Sequence, residues 1–193
     1  LPEENLEHVK TKNHIVVTEA GYKRYVLTKD GLSPRGVPGH GQGLVGVDSD
    51  EHDDEAHITE SALVRVAMHE KRLGKIEGIR KESLPPTVIG DVAKATTVVV
   101  TWGSNRGVIE EALERAKRDD VAGLHFHQVY PLPKKAKKLL AKKKIVVMEN
   151  NATGQFANLL KLEYGVEISE NILKYDGDPF SVEEVVAKLK AIS

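Results

Sequence analysis

Ile145, Val146 and Val147 form a β-branched run, and shortly after it Phe156, Leu159, Leu160 and Tyr164 recur at helical spacing. The first pattern is too short for a helix and suits a buried strand, while the second marks an amphipathic helix. Lys144 to Glu163 is therefore predicted to pass from strand to helix through the polar turn Glu149-Asn150-Asn151-Ala152-Thr153-Gly154-Gln155. Nothing else in the chain constrains its fold as tightly, because a buried strand feeding a helix is the repeating step of an α/β sheet. In such sheets ligands and partners gather beyond the carboxyl ends of the strands, where a helix N-terminus offers free N–H groups. Glu149, Asn150, Asn151, Thr153 and Gln155 thus stand where chemistry or docking is expected. Alternatively, the Asn and Thr residues shape the turn and cap the helix, and Gly154 permits close packing.

The same alternation fills the second half of the chain. Leu84-Pro85-Pro86 ends a preceding helix. Strands are expected over Thr96 to Thr101, Val121 to His127 and Lys144 to Glu149, with a fourth within Val166 to Tyr175. Helices are expected over Arg106 to Arg118, Lys134 to Lys142 and Thr153 to Tyr164. Ser181-Val182-Glu183-Glu184 reads as a capping box opening a last helix to Ile192. Strands alternating with helices predict a parallel sheet covered on both faces, with residues 85–193 around one core. Residues 1–84 read differently. His14 to Thr18 and Tyr22 to Leu27 are strand candidates, Gly31 to Gly46 is rich in Gly and Pro and predicts an irregular ordered loop or linker, and Glu60 to Lys81 is a long helix. Thr59 or Ser61 would cap that helix, and Leu63, Val66, Ala67, Leu73, Ile76 and Ile79 form its apolar stripe, as in a helix bridging two bodies.

Composition narrows the function. A net charge of −1 and a pI near 6.8 argue against a dedicated nucleic-acid binder. No apolar run is long enough to cross a bilayer, and Leu1-Pro2-Glu3-Glu4 does not open a signal peptide, so a cytoplasmic protein is expected. The absence of cysteine excludes disulfides, thiolate nucleophiles and cysteine-held iron–sulfur clusters. A charged fraction of 30% matches proteins from hot environments.

Several local patterns suggest chemistry that their context does not support. Gly41-Gln42-Gly43-Leu44-Val45-Gly46 has the dinucleotide-binding spacing but neither a preceding strand nor a following helix. Asp48 to His57 is dense in carboxylates and holds His52 and His57; it reads as a solvated acidic turn, since the ligand order of a calcium loop is missing. Trp102-Gly103-Ser104-Asn105-Arg106-Gly107 could cradle an anion but lacks the lysine and hydroxyl of a phosphate loop. His125 and His127 share one side of a strand without a third metal ligand. Lys134 to Lys144 holds seven lysines among eleven residues, which reads as a solvated face or a surface for an acidic protein. No Gly-x-Ser-x-Gly elbow presents a nucleophile. The residues alone describe an α/β domain with an extension and no complete active site.

The runs Tyr22-Lys23-Arg24-Tyr25, Leu32-Ser33-Pro34-Arg35-Gly36-Val37-Pro38-Gly39, Asp48-Ser49-Asp50-Glu51-His52-Asp53 and His57-Ile58-Thr59-Glu60 come first in a longer ordered series. They are followed by Trp102-Gly103-Ser104, by His125 to Pro133, by Glu149 to Phe156 and by Ile172 to Gly177. Together they resemble the alpha subunit of 2-oxoacid:ferredoxin oxidoreductases, in particular the 2-oxoglutarate type. The resemblance implies that residues 1–84 are the end of a thiamine-pyrimidine-binding domain plus a linker. It further implies that 85–193 are a three-layer transketolase C-terminal-like domain. The family's Tyr-Pro-Ile-Thr-Pro substrate loop and cofactor-activating glutamate would lie upstream, so a C-terminal fragment is expected.

The family oxidatively decarboxylates a 2-oxoacid to acyl-CoA and passes electrons to ferredoxin. With no Cys and no Gly-Asp-Gly upstream of Asn150-Asn151, this chain is expected to bind no cofactor and no metal alone and to contribute no catalytic residue. Thiamine diphosphate, Mg²⁺, [4Fe–4S] clusters and coenzyme A are implied for the complex, through a beta subunit and other partners in an oligomer that ferredoxin visits. The resemblance places Arg35, His52 and His57 near the cofactor cleft and Asn150, Asn151, Thr153 and Gln155 at a subunit contact. The alternative is a stand-alone α/β binding or assembly domain without enzymatic activity; a third reading is an anion-binding module using the Gly103 and Gly154 turns.

Overall fold

The computed structural model describes residues 13–192. The chain forms two compact units that part between Gly78 and Ile79, inside the helix α1, Ala62–Glu82. The opening Leu1-Pro2-Glu3-Glu4 lies outside the described residues.

The second unit is built on a five-stranded sheet: β1 Thr87–Ile89, β2 Thr97–Trp102, β3 Val121–Phe126, β4 Lys144–Glu149 and β5 Glu170–Leu173, in the order β1-β3-β2-β4-β5. β2 lies parallel between β3 and β4, and β5 runs parallel to β4. β1 is antiparallel to β3, with Thr87 opposite His125 and Ile89 opposite Gly123. The sheet is therefore mixed, which corrects the all-parallel expectation. A three-residue strand directly after Pro85-Pro86 carries too little alternation to be read from sequence.

Both faces of the sheet are covered. Side chains alternate along β2, so Val98 and Val100 join Leu124, Phe126, Ile145 and Val147 on one face, beneath the 3₁₀-helix Lys134–Leu140 and α3, Gln155–Tyr164. Ala136, Leu140, Phe156 and Leu160 fill that layer. Val99, Val146 and Met148 face the other way onto Ile109 and Ala112 of α2, Arg106–Ala116, and onto Val185 and Leu189 of α4, Val182–Ala191. Each large aliphatic side chain buried this way contributes about 1.5–3 kcal/mol, which is why β2 and β4 read as nearly unbroken apolar runs. The capping box of α4 forms as expected: Ser181 Oγ accepts from the Glu184 amide at 3.2 Å, and Glu184 Oε2 accepts from the Ser181 amide at 2.8 Å. The short helix expected over Lys134 to Lys142 is a 3₁₀-helix that ends at Leu140, and the final strand spans four residues.

The first unit corrects two expectations. His14 to Thr18 and Tyr22 to Leu27 are not strands; among the described residues the chain there makes only the isolated bridges Ile15 to Arg35 and Thr18 to Gly41. The β-branched residues raise local strand preference, but a ladder needs a neighbouring strand, and the neighbouring segment is the Gly- and Pro-rich loop. That loop is held by hydrogen bonds. Tyr22 Oη donates to the Pro34 carbonyl at 2.7 Å and accepts from the Gly36 amide at 2.6 Å. Buried Thr18 bonds the backbone of His40, Gln42 and Gly43. The apolar stripe of α1 is the second correction. Met68 is the buried residue of this helix, while Leu63 is 84% and Leu73 56% exposed. Ser61 caps α1 weakly, 3.5 Å from the Val64 amide, and Thr59 accepts from Ser61 instead.

Candidate functional site at the carboxyl edge of the sheet

From β2 the chain leaves through α2 toward β3, and from the adjacent β4 it leaves through α3 toward β5 on the opposite face. Neighbouring strands whose connections diverge mark the crevice where α/β folds bind ligands. Here the crevice is bridged from within: Thr101 Oγ1 donates to the Met148 carbonyl at 2.9 Å, and both residues are fully buried.

Glu149 ends β4 at this crevice and is 0% exposed. Its Oε2 accepts from Asn151 Nδ2 at 2.6 Å and from the Phe156 amide at 2.9 Å, and its Oε1 accepts from the Ala157 amide at 3.1 Å. The carboxylate thus occupies the N-terminal end of α3, where the helix dipole and the unsatisfied N–H groups favour negative charge. Asn151 completes the turn, its Oδ1 accepting from the amides of Thr153, Gly154 and Gln155 at 3.1, 2.7 and 3.3 Å. Gly154 sits at φ +64°, so the helix opens at Gln155 and not at the expected Thr153. The turn-shaping reading holds for Asn151; Gly154 serves the turn through its positive φ and not through close packing, since a Cβ there would meet Asn171 and Glu149 at ordinary contact distances of 3.4–3.7 Å. The anion-cradle reading of the Gly154 turn is corrected, since the chain's own carboxylate takes the place of the anion. Asn150, Thr153 and Gln155 are exposed on the outside of this turn.

His125 lies beside the Gly103 turn. Its Nε2 is 2.8 Å from the Gly103 carbonyl, which can only accept, so Nε2 carries the proton and Nδ1 is left as a buried acceptor with no partner among the described residues. His127 packs edge-on at 4.8 Å between ring centres and reaches Thr87 Oγ1 at 2.7 Å. Burial pushes the His125 imidazole below its ordinary 6.5, helped by His127 and Arg106 and opposed by the Gly103 carbonyl. A neutral native imidazole takes up its proton at lower pH than the unfolded chain does. Its contribution to stability is therefore complete above pH 6.5 and is lost as pH falls toward the depressed native value. Urea unfolding at about pH 7.5 and about pH 5.5 should show wild type losing more stability across that interval than His125→Asn. Equal losses would contradict the burial argument.

The remaining candidates lie in the first unit. Arg35 is exposed, and its backbone bridges His14 and Val16. His52 stacks on Tyr25 at 3.9 Å between ring centres and donates from Nδ1 to the Asp50 carbonyl at 2.8 Å. His57 lies 3.5 Å from Asp53 and 3.8 Å from Glu55. Asp53 Oδ1 also accepts from the amides of Glu55 and His57, both at 2.9 Å, and these bonds with His57 hold its carboxyl below the usual range. The acidic run is thus a hydrogen-bonded turn. Among the described residues no group of three or more His, Asp or Glu side chains is placed to hold a metal, and no helix is long and apolar enough to cross a membrane.

Sequence reasoning missed two features here. The burial of Glu149 had one visible sign, a carboxylate closing an otherwise apolar strand two residues before an Asn. The Thr101 crosslink had none, because its partner is a backbone carbonyl 47 residues away.

No protein-family model matches the chain. Among curated proteins, 2-oxoacid:ferredoxin oxidoreductase 1, subunit alpha, of Sulfurisphaera tokodaii is 34% identical over 194 residues, covering 96% of this chain and 30% of that relative. The 2-oxoacid:ferredoxin oxidoreductase subunit alpha of Saccharolobus solfataricus is 32% identical over 197 residues, 98% of this chain and 30% of the relative. Among solved structures, the 2-oxoglutarate:ferredoxin oxidoreductase from Magnetococcus marinus with 2-oxoglutarate, coenzyme A and succinyl-CoA bound aligns with a TM-score of 0.75 and 29% identity, over 89% of this chain and 30% of that one. The chain spans about 30% of the length of the curated relatives it matches. It belongs with the alpha subunits of 2-oxoacid:ferredoxin oxidoreductases, to which it is homologous as a partial alpha-subunit region.

Proposed function

We propose that this chain serves an oxidoreductase of the 2-oxoglutarate type as a structural and assembly part of its alpha subunit. Residues 1–84 are then the end of the thiamine-pyrimidine-binding domain plus linker, and 85–193 the transketolase C-terminal-like domain. The observation that carries the structural role is the Glu149–Asn151 network. The groups that a ligand would use at the switch crevice are spent on holding β4 to α3. Support for the substrate class is the alignment with the Magnetococcus marinus enzyme.

Thiamine diphosphate would supply the chemistry of 2-oxoacid decarboxylation, but the residues present do not fit it. Asn151 is committed to Glu149 and the turn amides, and the sequence has no Gly-Asp-Gly to complete a Mg²⁺ site. Without cysteine the chain cannot ligate the family's clusters. Thiamine diphosphate, Mg²⁺, [4Fe–4S] and coenzyme A are therefore assigned to the complex formed with the beta subunit, with ferredoxin as the electron acceptor of the whole. Asn150, Thr153 and Gln155 face outward and are assigned to a subunit contact, which Asn151 shapes from behind. Arg35, His52 and His57 are assigned to the neighbourhood of the cofactor cleft.

Co-expression of the full-length alpha chain with its beta subunit should give coenzyme-A-dependent dye reduction with 2-oxoglutarate in preference to pyruvate, and the 193-residue chain alone should be inert. Asn150→Ala with Gln155→Ala should lower recovery of the complex while leaving the thermal midpoint of the isolated chain within about 2 °C. Decarboxylation by the isolated chain with added thiamine diphosphate would overturn the structural role. A preference for pyruvate would overturn the substrate assignment alone.

A further inference from the structure

We infer that the lysine-rich segment Lys134–Lys144 is a docking face for a protein whose own surface carries clustered carboxylates. Seven of its eleven residues are lysine, and the nearest carboxylates in the sequence are Asp120 and Glu149, the latter fully buried. The structure fixes which way the charges face. Ala136 and Leu140 are buried under the sheet, so Lys134, Lys135, Lys137 and Lys138 stand outward on the 3₁₀-helix, and Lys142 is exposed just beyond it. The segment is pinned at both ends. Tyr164 Oη donates to the Pro133 carbonyl at 2.7 Å, and Lys143 Nζ bonds the Ala93 and Ala95 carbonyls. Beside it Arg80, paired with Glu163 at 3.1 Å, lines with Leu132, Lys134, Lys137 and Tyr164 a cavity of about 130 Å³.

Among the described residues the side chains of Lys135, Lys137, Lys138 and Lys142 make no hydrogen bond or ion pair, although the sequence holds 29 acidic residues. Like charges this close repel one another, and a rigid backbone prevents them from spreading. A partner of opposite sign relieves that repulsion and is steered toward the patch from a distance.

The chemistry favours a protein over other polyanions. The segment contains no arginine to fork a phosphate and no aromatic residue to stack a base. Its buried Leu140 faces the core and leaves no apolar wedge for a bilayer. The short helix also presents charge over only about 14 Å, taking the 3₁₀ rise, which suits a compact carboxylate cluster.

The test uses the 193-residue chain and poly-L-glutamate as probe, followed by amide NMR shifts. Saturable shifts confined to residues 134–144 and their neighbours are expected, with affinity falling about tenfold as salt is raised from about 50 to about 300 mM. The triple variant Lys135→Glu, Lys137→Glu, Lys138→Glu should abolish them, and the same positions changed to Arg should retain them. Unchanged binding in the triple Glu variant, or shifts scattered over the surface, overturns the inference. Tighter binding to an oligothymidylate or to phosphatidylserine vesicles than to poly-L-glutamate also overturns it, by assigning the patch to a nucleic acid or a membrane. Should the triple variant fail to fold, the wild-type shift map and its salt dependence still decide. Failure of this test leaves the oxidoreductase assignment untouched, because it makes no use of a beta subunit or of turnover.

Discussion

Glu149→Ala is expected to destabilise the second unit by about 3–5 kcal/mol, the range for stripping a buried charge-assisted network of its acceptor. The carboxylate accepts three hydrogen bonds, two from the first amides of α3 and one from Asn151 Nδ2. Its removal leaves those donors without their acceptor at a position that is fully buried. Glu149→Gln should cost less, about 2 kcal/mol, because one oxygen still accepts while the new amide group meets a donor. Urea unfolding gives both values, and hydrogen exchange at the Phe156 and Ala157 amides should accelerate in each variant. A loss below about 0.5 kcal/mol for the alanine variant would mean that the network does not hold β4 to α3, and the structural role proposed for this turn would fall with it.

Gly41→Ala should be the most damaging small change in the first unit, at about 3 kcal/mol or more. Gly41 sits at φ +116°, and a Cβ there would lie 2.2 Å from the Thr18 carbonyl oxygen and 2.4 Å from the Thr18 nitrogen. The backbone has no room to retreat, since Thr18 donates to the His40 carbonyl at 3.0 Å and Gln42 donates to the Thr18 carbonyl at 2.7 Å. Gly21→Ala is the matched control: φ is +79°, yet nothing lies within 4 Å of the added carbon. The control should cost only about 1 kcal/mol of backbone strain. Hydrogen-exchange protection of the Thr18 and Gln42 amides should collapse in the first variant and persist in the second. Equal effects would show that left-handed strain, and not contact with Thr18, explains Gly41.

That contact also shows why the glycine spacing misleads. Gly41 and Gly43 lack side chains because the chain passes against Thr18 and Tyr22, which produces the same sequence pattern as an approach to a pyrophosphate. The second unit was legible because β2, β3 and β4 are buried on both faces and helices alternate between them; Lys144 to Glu149 was read to the residue. β1 escaped because three residues cannot display a period, and the strand candidates of the first unit failed because alternation does not reveal whether a partner strand exists. Along α1 the apolar residues recur mostly at spacings of three, which drift around a 3.6-residue helix and gather on no single face, and Leu63 and Leu73 stand in the open. At the candidate site the strand-to-helix turn was legible from the pattern of residues, while the orientation of Glu149 was not. Whether Glu149 turns outward to a ligand or inward to its own helix depends on donors seven and eight positions later, which sequence spacing alone does not orient.

The antiparallel strand β1 has an effect beyond completing the sheet. Pro85 and Pro86 precede it directly and carry no amide hydrogen, and only three residues follow before the chain turns away at Gly90. An intruding strand would find only three residues to pair with on this flank, and no donor from Pro85 or Pro86 to extend the ladder. The margin is thus blunted against edge-to-edge aggregation.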